Sequence, residues 1–123
     1  WAGDPQATAL AQGEVLELLR SAEALYEERA AEGPVLDIAL PEGPEGKLVV
    51  LGDTHGQLLD VLHVLHDQGP PSPSTAYLFN GDIADRGSQA VEIWLLALAF
   101  QLRHPGRVHV LRGNHESRTL NER

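Results

Sequence analysis

Three short apolar runs set the rhythm of the chain: Leu48-Val49-Val50-Leu51, Ala76-Tyr77-Leu78-Phe79 and Arg107-Val108-His109-Val110-Leu111. They are rich in β-branched and aromatic residues and nearly continuous in hydrophobicity, the pattern of strands buried on both faces. Between the first two lies QLLDVLHVLHDQG, in which Gln57, Asp60, His63 and Asp67 form one polar stripe of a helix that Gly69-Pro70-Pro71 stops. Between the last two lies SQAVEIWLLALAFQLRHPG, apolar almost all round and therefore expected to be a buried helix.

Ahead of this unit, Val15, Leu18, Leu19, Ala22, Leu25 and Tyr26 recur at steps of three and four. That spacing predicts an amphipathic helix over 13–31, with an acidic outer face and an end at Gly33-Pro34. Residues 1–12 read as a loose lead-in. Val35 to Leu40 reads as a short extended segment, and PEGPEGK after it as a surface turn. A strand-helix-strand-helix-strand order favours parallel strands joined by right-handed crossovers, so the expected fold class is α/β, a sheet layered with helices.

Each strand runs directly into a polar loop: GDTHGQ after Leu51, GDIADRGS after Asn80, RGNHES after Leu111. The carboxyl ends of parallel strands share one edge, and ligands bind in the crevice outside it. The loops should therefore bring together Asp53, His55, Asp82, Asp85, Arg86, Asn114 and His115. One Gly-Asp or Gly-Asn step alone would be ordinary turn chemistry. Three of them at three strand ends point to a site.

Composition narrows what that site binds. Eighteen acidic residues against nine basic ones leave a formal charge of −9, which argues against a nucleic-acid partner, since phosphate backbones are held mainly by Lys and Arg. The chain has no cysteine, so thiolate nucleophiles, disulfides and sulfur-ligated zinc are excluded. Its longest apolar run, Ile93 to Phe100, is far short of the roughly 18–20 residues that span a bilayer, so no membrane partner is expected. At 123 residues with no methionine, opening on Trp1, the chain is expected to be one domain or part of one.

A mixed nitrogen and oxygen donor set suits manganese, iron or zinc better than calcium or copper(I). Asp82 has two carboxylate oxygens, enough to bridge two cations, and Asn114 adds a neutral carbonyl oxygen. Two ions sharing a carboxylate would clamp a phosphate ester and turn a bound water into hydroxide. His115 is suited to protonate the leaving oxygen, a role worth about 10²–10⁴ in rate, with Asp85 holding its ring. Arg86 offers a planar fork for two phosphate oxygens.

His63, His66 and His104 read as surface or turn residues and His109 as packed within its strand. Arg112 reads as a structural or solvated cation. Glu116 is either a supporting partner of the site or a cap for a following helix.

GDTHGQ, GDIADRG and RGNHE, in this order, resemble the three signatures of the phosphoprotein phosphatase family, the metal-dependent serine/threonine-specific phosphatases of the calcineurin-like metallophosphoesterase superfamily. The resemblance runs from about Lys47 to the end, and implies a layered metallophosphoesterase fold, here a truncated half with an N-terminal helix. Residues 1–46 would be a lead-in and helix, and 47–123 the N-terminal portion of a catalytic domain that is incomplete at its C-terminus. The implied cofactors are two divalent or trivalent metal ions, manganese first, with iron or zinc as alternatives. By the same matching Asp53 and His55 are first-metal ligands, Asp82 the bridge, Asn114 a second-metal ligand, His115 the proton donor, Asp85 its partner and Arg86 a phosphate-binding residue.

The implied activity is hydrolysis of phosphoserine and phosphothreonine in proteins by metal-bound hydroxide at a two-metal centre. The alternatives are a phosphoesterase for a small substrate such as a diadenosine polyphosphate, or a catalytically incomplete metal-binding fragment. Family members carry two further metal-binding histidines, a second arginine and a tyrosine beyond the GNHE motif, so the isolated chain is expected to be inactive. The implied partners are a phosphoprotein substrate and a regulatory subunit or fused regulatory domain. The implied location is cytoplasm or nucleus.

Overall fold

The computed structural model describes residues 10–122, so most of the expected lead-in lies outside the described residues. Helix α1 (Gln12–Ala30) is followed by β1 (Lys47–Leu51), α2 (Leu58–Gln68), β2 (Thr75–Phe79), α3 (Ala90–Arg103), β3 (Val108–Val110) and a single-turn α4 (Arg118–Asn121). The strands form one parallel sheet in the order β1-β2-β3. Val49 lies beside Tyr77, which lies beside Val108. The α/β expectation holds, with both crossovers helical as parallel neighbours require.

The pleat sends Leu51, Tyr77, Phe79 and Val108 to one core, where Val61 of α2 and Ile93 and Ala97 of α3 meet them. Burying one such large side chain stabilises the fold by about 1.5–3 kcal/mol. The core thus anchors the strand ends that carry the polar loops. Helix α1 lies against α3 rather than on the sheet. There the Tyr26 hydroxyl donates to Gln101 Oε1 at 2.8 Å, and the buried Gln101 donates onward to the Val108 carbonyl at 3.4 Å. The Arg29 guanidinium also donates to the carbonyl of Pro105.

Two expectations need correction. Val35 to Leu40 forms no strand, and Val35 is 78% exposed. Propensity could not supply the ladder partner an extended segment needs, and this stretch is held instead by Arg107 donating to the Ala39 carbonyl at 3.1 Å. Helix α3 is not buried all round: Ile93, Ala97, Leu98 and Gln101 are buried, whereas Val91 is 68% exposed. The polar stripe of α2 does face outward, with Gln57, Asp60, His63 and Asp67 all exposed. No helix among the described residues is long and apolar enough to cross a membrane.

Candidate metal centre

The loops leaving β1 and β2 are stitched together by main-chain bonds. The Thr54 and His55 amides donate to the Asp82 carbonyl at 3.1 and 2.9 Å, Gly56 donates to Ile83 at 2.9 Å, and Gly87 donates back to His55 at 2.8 Å. Side-chain carboxylates bind the β3 loop to the β2 loop. The His115 amide donates to Asp82 Oδ1 at 2.8 Å, and Glu116 accepts from the amides of Asp82, Ile83, Ala84 and Gly113 at 2.7–2.9 Å. Four non-glycine residues here have left-handed backbone: His55 (φ 40°), Asp82 (φ 50°), Asp85 (φ 69°) and Arg86 (φ 70°). Such conformations cost about 1–3 kcal/mol each and persist where surrounding bonds impose them, typically at functional sites.

This stitching brings donor atoms of Asp53, His55 and Asp82 within 4.8 Å of one another. His55 Nδ1 lies 2.8 Å from the Ala84 carbonyl, which can only accept, so Nδ1 carries a proton and Nε2 is the nitrogen left to meet a cation. Nε2 is the nitrogen that faces Asp53, 3.8 Å from its Oδ2. Two carboxylates and an imidazole whose Nδ1 is tied to a carbonyl, leaving Nε2 turned towards them, fit a divalent cation in donor type and in orientation.

Beside this group, His115 Nδ1 lies 3.1 Å from Asp85 Oδ2, and the His55 and His115 rings meet edge to face with centroids 4.7 Å apart. The Arg86 amide, and then His115, hold the Asp85 carboxyl below its ordinary range. With Nδ1 turned to a carboxylate, the imidazole can carry a proton on Nε2.

A family model described as calcineurin-like phosphoesterase matches residues 46–123. The chain belongs to the calcineurin-like phosphoesterase family. It is 45% identical over 85 residues to serine/threonine-protein phosphatase T of Schizosaccharomyces pombe, covering 69% of this chain and 18% of that one. To human serine/threonine-protein phosphatase 5 it is 47% identical over 76 residues, covering 62% of this chain and 15% of the relative. The chain therefore spans less than a fifth of the length of either. A solved protein serine/threonine phosphatase from Saccharomyces cerevisiae superposes with a TM-score of 0.77 at 32% identity, over 95% of this chain and 36% of that one.

Within this calcineurin-like phosphoesterase chain, the remaining residues singled out from the sequence divide clearly. Asn114 and Arg86 lie in the same loops, both exposed. His63 and His66 pair with Asp67 on the outer face of α2, at 3.3 and 3.0 Å, away from the donor group. His109 is buried with neither ring nitrogen hydrogen-bonded. Arg112 is exposed, its Nε donating to the Glu116 carbonyl at 3.1 Å.

Glu116 does not cap the following helix. Ser117 does, its Oγ accepting from the Leu120 amide at 3.3 Å. The sequence carried a signal for this, since a serine next to the glutamate is the better N-cap and frees the acid for the loop.

Proposed function

We propose that this chain contributes to the hydrolysis of phosphoserine and phosphothreonine in proteins, with Asp53, His55 and Asp82 holding metal and His115 acting as general acid. The observation that carries the reading is the arrival, at one sheet edge, of a three-donor group beside a carboxylate-paired histidine. The names of the relatives and of the structural neighbour point to protein substrates over small phosphoesters. Two ions bound here, manganese by preference with iron or zinc also fitting the donors, would supply Lewis acidity to the phosphate and acidify a water. Asp82 would bridge them, with Asn114 on the second.

The chain's own residues account for the rest. His115 delivers its Nε2 proton to the departing serine or threonine oxygen, while Asp85 steadies the ring through Nδ1. Arg86 supplies a bidentate fork for two phosphate oxygens. The first-metal donors are all here, whereas Asp82 and Asn114 alone make a poor second site, so these 123 residues by themselves should turn over phosphopeptide slowly or not at all.

Manganese titration of this chain is the first test. Binding should be saturable and weakened by Asp53→Asn or Asp82→Asn, and no binding would sink the metal assignment. In the full-length protein, His115→Ala should lower turnover of a phosphopeptide by about 10²–10⁴ while leaving manganese content nearly unchanged. Equal loss of both would count against the acid role.

A further inference from the structure

Glu116 lies outside the residues assigned to metal, acid and phosphate, yet it makes more hydrogen bonds in this region than any of them. Oε1 accepts from the amides of Ile83 and Ala84, both at 2.9 Å. Oε2 accepts from Asp82 at 2.7 Å and from Gly113 at 2.8 Å. Burial alone would raise its pKa, but the four amide donors outweigh it and hold the carboxyl below its ordinary range.

Three of those donors are consecutive and begin at Asp82, whose left-handed backbone would otherwise relax. The fourth, Gly113, lies beside Asp82 Oδ1, which in turn accepts from the His115 amide. A single anionic side chain thus fixes both the main chain beneath Asp82 and the loop that carries His115. It also neutralises four convergent N–H dipoles that would otherwise form an anion-binding nest under the metal centre.

We propose that Glu116 is a positioning residue: an internal anion that fills a four-amide nest and thereby aims the Asp82 carboxylate at the metal. This rests on the reading of Asp82 as a metal ligand. Because the nest is made of backbone, it survives removal of the side chain, and a small carboxylate should be able to take its place. Simple packing would not be restored that way.

The test combines manganese titration with amide hydrogen exchange on this chain and its Glu116→Ala and Glu116→Gln variants, with and without sodium formate, chloride being the ionic control. Glu116→Ala should lose about 10–100-fold in manganese affinity. It should also lose exchange protection at the amides of Asp82, Ile83, Ala84 and Gly113, while α2 and α3 keep theirs. Formate, and not chloride, should restore both without changing the wild-type affinity.

Glu116→Gln keeps one acceptor oxygen and should lose protection at only one pair of amides, Asp82 with Gly113 or Ile83 with Ala84. It decides the matter if the alanine variant does not fold. Unchanged manganese affinity in both variants, or loss that formate cannot restore in a folded Glu116→Ala chain, would overturn the proposal. Absence of manganese binding by the wild-type chain would overturn the function proposed above. The exchange pattern would then still decide whether the nest is filled by Glu116.

Discussion

Gly113→Ala should separate the β2 and β3 loops. A Cβ on Gly113 would lie 2.1 Å from Asp82 Oδ1 and 2.4 Å from the Asp82 nitrogen, where ordinary contact begins at 3.4 Å. Neither neighbour is free to yield. The oxygen is held by the His115 amide at 2.8 Å, and the nitrogen by Glu116 at 2.7 Å. The loops must part by roughly an ångström, which stretches both bonds past useful length, with overpacking strain of about 1–3 kcal/mol. Adding the two weakened hydrogen bonds, at about 0.5–1.5 kcal/mol each, gives a loss of about 2–6 kcal/mol.

For a chain of this size, at about 4 °C per kcal/mol, that corresponds to a melting temperature lower by roughly 8–23 °C. The assay is thermal and urea unfolding of Gly113→Ala beside Gly106→Ala. Nothing lies within 4 Å of a Cβ at Gly106, so that variant should melt close to wild type. Manganese affinity should fall in the first variant and hold in the second. If Gly113→Ala melts within about 2 °C of Gly106→Ala, the close approach of Gly113 to Asp82 does not constrain the two loops.

Other expectations follow from the same contacts. Tyr26→Phe leaves the buried Gln101 carbonyl without its donor and should cost about 1–3 kcal/mol in urea unfolding, whereas adding Gln101→Leu should recover part of it, and strict additivity would refute the pairing. Burial, followed by the charges of Arg29 and Arg107, lowers the pKa of His109 below its usual 6.5. Its contribution to stability is therefore complete above about pH 6.5 and is lost as the pH falls through the depressed folded value. A pH series of urea midpoints should show this loss in wild type and not in His109→Phe.

The sequence alone was enough for the parallel sheet, because continuous apolar strands separated by helix-length crossovers leave few other topologies. It was also enough to nominate residues for the site: parallel strands end on one edge, so Asp53, Asp82 and His115 had to approach one another. Helix ends at Gly33 and Gly69 were legible for a local reason, since both take the left-handed backbone that glycine permits.

What periodicity could not reach was anything settled by a distant partner. The segment from Val35 to Leu40 has strand composition but no ladder partner, and one face of α3 is exposed despite its apolar sequence. The ring orientation of His55 depends on the Ala84 carbonyl, twenty-nine residues away in sequence. Glu116 could be read either as a helix cap or as support for the site until the fold brought three amides of the β2 loop and one of its own loop around a single carboxylate. Sequence patterns carry burial and chain direction because both are local averages. Hydrogen-bond partners between loops more than thirty residues apart exist only once the sheet has closed the distance.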